Sequence, residues 1–234
     1  MRKISNPKLL KRNRTIGNAG QIGGMVVLMG GLAVSFWLPE RLDLSWYALI
    51  IGFFCITIGQ TFTNRWGRTP PPDEAVDNLL KGLDNTYTVV HFRLGVDHAL
   101  FTPNGIVVIV AKYERGTIIY DGKKWKQSGV SGLMKFFGTE AVGNPTVDGQ
   151  MEADSLVRKL KKILKTDDVP TVRPLVAFVN EKTRVEAPNA PVPALHASQV
   201  KEYVRRLPKL PGLSPEQFQK VLEYAGEKNK AGAE

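Results

Sequence analysis

Few side chains in this chain have a type and spacing that can do chemistry. Three histidines stand at His91, His98 and His196, without the ligand intervals that hold zinc, and the only cysteine, Cys55, sits in an apolar run. The chain has no G-x-x-x-x-G-K-[ST] loop, no G-x-G-x-x-G opening a helix after a strand, and no G-x-S-x-G elbow. Those absences argue against a P-loop NTPase, a dinucleotide-binding fold and an α/β-hydrolase. What remains are basic clusters, Lys123, Lys124 and Lys126, then Lys159, Lys161, Lys162 and Lys165. Lysines so grouped can neutralise the phosphates of a nucleic acid, and they can equally be a solvated face.

These residues hang on elements of two kinds. No charged residue occurs from Ile16 to Leu38, nor from Leu44 to Phe62. A helix of roughly 20 residues crosses a hydrocarbon core about 30 Å thick, so each run is long enough for a transmembrane span. A cleaved signal peptide would end at a small-residue cleavage site and would not be followed at once by a second span. A buried soluble hairpin would not need both segments to be apolar on every face. Gly17, Gly20, Gly23, Gly24, Gly30, Gly31, Gly52 and Gly59 let helices approach closely, with Gly20 and Gly24 in GxxxG spacing. Packing the two spans on each other is their expected use, ahead of dimerisation.

Charge gives the expected orientation. Residues 1–68 hold nine Lys and Arg against two acids, a net +7; the remaining 23 basic and 20 acidic residues leave only +3. The basic excess therefore flanks the spans, with Arg2, Lys3, Lys8, Lys11, Arg12 and Arg14 before them and Arg65 and Arg68 after. Basic flanks stay inside, which makes the expectation an integral protein of a prokaryotic cell membrane with N- and C-termini cytoplasmic. The organisation expected is a basic cytoplasmic tail at 1–15, a transmembrane hairpin at 16–62 (spans 16–38 and 44–62), a Pro-rich linker at 63–72, a domain at 73–180, and a C-terminal strand and helices at 181–234.

After Thr69-Pro70-Pro71-Pro72, Asp73 can cap a helix whose stripe is Val76, Leu79, Leu80 and Leu83. Strands are expected at Tyr87–Arg93, Val96–Thr102, Gly105–Lys112 and Gly116–Asp121, separated by turn signals. Ile106–Val110 is apolar on both faces and should be central. Residues 122–145 read as a loop, Val147–Lys165 as a long helix and Arg173–Asn180 as a strand. A Pro-rich loop, a short strand near Pro193–Leu195 and two closing helices complete a mixed α/β fold.

Within it, Val96-Asp97-His98-Ala99-Leu100-Phe101 and Gly105-Ile106-Val107-Val108-Ile109-Val110-Ala111-Lys112 follow each other across a short turn. Gly116-Thr117-Ile118-Ile119, Trp125, Asn144-Pro145 and Gln150 come next, with Glu74 upstream. In this order the segments resemble the NERD (nuclease-related) domain over roughly residues 73–180. The resemblance implies a mixed-sheet, restriction-endonuclease-like fold of the PD-(D/E)xK type. It implies a metal carboxylate at Asp97, catalytic roles for Asp97, Lys112 and Gln150, and Mg²⁺ as the cofactor of an active member. The family's Glu two residues before the lysine is here Val110, which cannot ligate a metal. Glu114 or Asp154 would be the substitutes, otherwise a turn residue and a solvated helix residue.

The resulting expectation is a membrane-anchored NERD-like domain with a degenerate nuclease core. It would serve as a non-catalytic module for nucleic acid, through Lys123, Lys124, Lys126, Lys159 and Lys162, or for other membrane proteins. A Mg²⁺-dependent nuclease with a relocated carboxylate and a membrane scaffold protein are the alternatives.

Overall fold

The computed structural model describes residues 1–130 and 141–227. They divide into two compact units, one from Pro7 to Pro72, the other joining Met1–Asn6 to the chain from Asp73 onward.

The first unit is a helical hairpin: α1 (Pro7–Trp37), a 3-10 turn at Pro39–Arg41 and α2 (Leu42–Trp66). Both helices are long and apolar enough to cross a membrane by length and composition. Their large apolar side chains point away from each other; Met25, Phe36, Trp37 and Phe53 are all more than half exposed. The buried positions are Asn13, Gly17, Gly24 and Gly31 on α1 and Gly52 and Gly59 on α2, the glycines at seven-residue intervals. A seven-residue stripe keeps one seam of a helix facing its partner. A Cβ on Gly59 would stand 2.5 Å from the Gln21 backbone nitrogen, and one on Gly20 would stand 2.9 Å from the Gly59 Cα. The GxxxG pair at Gly20 and Gly24 is thus used to pack the two spans together. Gln21 donates to Gln60 at 2.7 Å, and Ser45 donates to the Gly31 carbonyl at 2.9 Å. Both bonds keep polar groups of apolar helices satisfied within the hairpin.

The second unit is a three-layer α/β domain. Its main sheet holds β1 (Arg2–Ile4), β2 (Thr88–His91), β3 (His98–Thr102), β4 (Gly105–Lys112), β7 (Val172–Phe178) and β9 (Ala194–His196), neighbours in that order. β2, β3 and β4 run antiparallel; β1 on β2, β7 on β4 and β9 on β7 are parallel. A small sheet sets β5 (Gly116–Tyr120) between β6 (Trp125–Ser128) and β8 (Thr183–Glu186).

Helices cover both faces of the main sheet. Val76, Leu79 and Leu80, from α3 (Pro72–Leu79) and the turn after it, pack with Val200 and Val204 of α5 (Ala197–Arg205) over Val89, Leu100, Val107, Ile109 and Leu175. On the other face, Ala153, Leu156 and Leu160 of α4 (Pro145–Leu164) and Val221 and Ala225 of α6 (Pro215–Glu227) cover Ala99, Phe101, Ile106 and Val108. β4 is therefore the doubly covered central strand that its continuous apolar run demands. Asn144 caps α4 by accepting from the Val147 N–H at 3.3 Å, and Lys165 ends it in the left-handed conformation at φ 55°.

Three strands lie where sequence periodicity points to tail or loop. β1 forms inside the stretch read as a basic tail, β6 inside 122–145, and β8 inside the Pro-rich stretch after Asn180. Each has only three or four residues, too few for alternation to show, and β1 and β8 pair with a strand far away in sequence. The linker read as 63–72 is shorter in the fold, since α2 continues through Trp66 and α3 begins at Pro72. Residues 131–140 of the expected loop lie outside the described residues.

Candidate functional site

The site forms where β3 and β4 part. Their register pairs Ala99 with Val108 and Phe101 with Ile106. The ladder ends at Ala99 and Val108; Asp97 lies two residues before that end and Val110 two residues after it. Side chains alternate along a strand, so Val108, Val110 and Lys112 point to the α4 side while Val107 and Ile109 point to the α3 side. Val110 and Lys112 thus share one face, and the Asp97 backbone borders α4 through Glu152.

α4 closes over that face and brings carboxylates. Asp148, in its first turn, holds the Lys112 ammonium at 2.6 Å. Glu152, one turn on, accepts from the Asp97 backbone N–H at 3.2 Å. Glu114, two residues past the end of β4, lies 3.9 Å from the Lys112 ammonium. Its side chain is only 3 % exposed, against 16 % for Lys112 and 40 % for Asp148. The Thr183 hydroxyl pins this corner by donating to the Glu114 carbonyl at 2.6 Å. Lys112 also donates to the Val142 carbonyl at 3.5 Å.

Glu114 and Asp148 thus lie beside Lys112, and Glu152 beside the Asp97 backbone. Among the described residues no three His, Cys, Asp or Glu side chains form a cluster that could hold a metal ion. Among the described residues the donor set does not fit a divalent cation. Val110 has no donor atom, and the lysine ammonium already engages two of the carboxylates, as an internal cation.

The NERD nuclease-related domain model matches residues 73–179. Residues 73–179 are a nuclease-related domain. No curated protein and no solved structure matches the chain.

The NERD domain places the other expected site residues apart from this centre. Gln150 is exposed on α4, and its amide donates to Asp154 at 3.3 Å, so neither reaches Lys112. Lys123 and Lys124 are exposed at the β5–β6 turn, where their backbone N–H groups donate to the Asp121 carboxylate at 2.9 and 2.8 Å. Lys126 pairs with the same carboxylate at 2.7 Å. The Lys126 ammonium, and after it the two N–H groups, hold the Asp121 carboxyl well below the usual carboxylate range. Lys159 lies over the Tyr224 ring, 4.5 Å from its centroid, and Lys162 is exposed one turn on.

Glu114, Asp148 and Glu152 are the site residues that sequence reasoning missed or set aside. The signal for two of them was present: Asp148 and Glu152 are one turn apart on the expected helix. Glu114 read as a turn residue because its burial depends on β8 and Thr183, 69 positions away.

On the opposite face of the sheet, His91 and His98 meet through their Nδ1 atoms at 2.7 Å, each ring only 1 % exposed. One Nδ1 must carry the proton and the other accept it. His91 Nε2 lies 3.3 Å from Asp77, whose carboxylate also takes Lys3 of β1 at 2.7 Å. Burial works to raise the Asp77 pKa, but the hydrogen bonds and charges of His91 and Lys3 outweigh it and lower it. These histidines are structural links that tie β1 to α3 and the β2–β3 pair.

Proposed function

We propose that this chain is a non-catalytic nuclease-related module, anchored in a bilayer by its N-terminal hairpin and binding nucleic acid at the cytoplasmic face. The observation that carries the loss of catalysis is the state of Lys112. Its ammonium is engaged by Asp148 at 2.6 Å beside a valine at the position of the second carboxylate. A lysine so neutralised does not present a free charge to a phosphate, and the valine supplies no second carboxylate for a metal.

Support for the anchoring is topological. β1 precedes the two apolar helices and β2 follows them, yet they are hydrogen-bonded neighbours in one sheet. A hairpin that spans a bilayer must then have both ends on one side. The basic residues flanking it favour the cytoplasmic side.

The test uses the full chain in nanodiscs of neutral lipid. Mg²⁺ and Mn²⁺ are titrated by calorimetry, and cleavage of labelled DNA and RNA is followed, with Asp97→Ala and Lys112→Ala alongside. The expected result is no saturable metal binding and no cleavage. Cleavage by the wild type that both substitutions abolish would overturn the proposal. It would favour a second reading, a nuclease with relocated carboxylates, for which the specific observation is that Glu114 and Asp148 both lie within 4 Å of Lys112. Under that reading Asp148→Ala also abolishes cleavage.

A further inference from the structure

We infer that the cleft between α4 and α6 is a phosphate-binding site that holds the backbone of a nucleic-acid strand; the inference rests on reading the domain as a nucleic-acid binder. The cleft has a volume of about 300 Å³ and is lined by Lys159, Lys162 and Ile163 of α4 with Lys220, Glu223 and Tyr224 of α6. Three ammonium groups face one carboxylate, so the lining is cationic. Glu223 accepts from Gln219 at 3.0 Å, and no ion pair engages Lys162 or Lys220 among the described residues. Tyr224 holds Lys159 in place through its hydroxyl and its ring. One lysine is therefore preorganised, while two on the rim are exposed and can reach an anion.

Location adds to charge. Asp148, Glu152, Ser155, Lys159 and Lys162 are spaced four, three, four and three residues apart, which places them along one side of α4. The 95–97 segment borders that side: the Asp97 N–H meets Glu152, Ser155 donates to the Gly95 carbonyl at 3.5 Å, and a Cβ at Gly95 would stand 4.0 Å from Lys159. The strip thus starts at the degenerate centre and ends in the cleft, about 16 Å further along the helix from Asp148 to Lys159. That length matches several nucleotides of a strand at about 3.4 Å each. The acidic end, where carboxylates outnumber the single Lys112, repels phosphates; the cleft attracts them. Lys220 and Tyr224 lie beyond the matched domain, so the α6 side of the cleft comes from outside it.

The experiment measures fluorescence anisotropy of a labelled single-stranded oligonucleotide with the full chain in neutral nanodiscs, across KCl from about 0.05 to 0.2 M. Lys162→Ala and Lys220→Ala are compared with the wild type, and Lys220→Arg serves as the charge-conserving control. Both lysines are exposed, so the fold is expected to survive, and circular dichroism checks that. Each Ala substitution should lower the slope of log K against log salt by about 0.7 and weaken binding about fivefold at 0.1 M salt. Lys220→Arg should retain both. If wild-type binding is strong and the Ala variants match it, the cleft is not the site, while the reading of the domain as a nucleic-acid binder stands. If the wild type shows no salt-sensitive binding, both fall. If adding phosphatidylglycerol to the nanodiscs abolishes oligonucleotide binding only when both lysines are present, the cleft serves lipid headgroups and the inference is overturned.

Discussion

Val110→Glu puts a carboxylate where the resemblance to the nuclease-related pattern implies one, and the structure sets what that should do. A register continued past Ala99 and Val108 would set the new side chain beside Asp97, and opposed residues of adjacent strands have Cβ atoms about 5 Å apart. Two like charges at that distance repel by about 3 kcal/mol at an effective dielectric of about 20. Partial exposure of Asp97 reduces this, whereas lost apolar contacts of Val110 with the Ile118, Val176 and Phe178 cluster add to it. The variant should therefore be about 1–3 kcal/mol less stable without metal, and each kcal/mol lowers the melting temperature by about 2–4 °C in a domain of this size. A divalent cation shared by the two carboxylates should reverse the loss. At about 100 times its Kd a ligand returns about 2.7 kcal/mol. Thermal unfolding of the full chain in detergent, with Mn²⁺ or EDTA, reads both effects. Wild type should be indifferent to Mn²⁺, and the variant should recover with it. A wild type stabilised by Mn²⁺ as much as the variant would refute the reasoning, since a metal site would then exist without the carboxylate at this position.

Gly59→Leu should separate α1 from α2, because its Cβ would start 2.5 Å from the Gln21 backbone nitrogen; a loss of about 1–3 kcal/mol is expected, read as earlier thermal unfolding of the hairpin in detergent. Asp77→Asn should destabilise the domain at neutral pH. The native Asp77 pKa is lowered from 3.8, so its contribution is present above that value and is lost as pH falls through the lower folded value. Denaturant midpoints of wild type and variant should differ at pH 7 and converge on acidification through the lowered folded value. An alkaline phosphatase fusion at Arg41 should be active and one at the C-terminus inactive; the reverse pattern would contradict the cytoplasmic placement of the domain.

Much of the architecture was legible in local pattern. Ile16–Leu38 and Leu44–Phe62 read as apolar helices because no charge interrupts them. Gly20 and Gly24 pointed to close helix packing. Ile106–Val110 read as a central strand because both of its faces are apolar. Alternation alone placed Val110 and Lys112 on one face, and β-prone residues between turn signals marked the neighbouring strand. These are short-range properties, in which the chemistry of a residue and its few neighbours decides the conformation.

Tertiary structure decided the rest. Lys112 is engaged because α4 folds back across β4 and delivers Asp148, 36 positions later. Glu114 is buried because β8 returns beside β5. Arg2–Ile4 looks like a basic tail, yet it becomes a strand because β2 offers an unpaired edge after two intervening helices. The cleft exists only because α6 lays Lys220 and Tyr224 against α4. In each case the partner is far away in sequence, and the contact forms because burying the apolar faces of the sheet forces those helices and strands together.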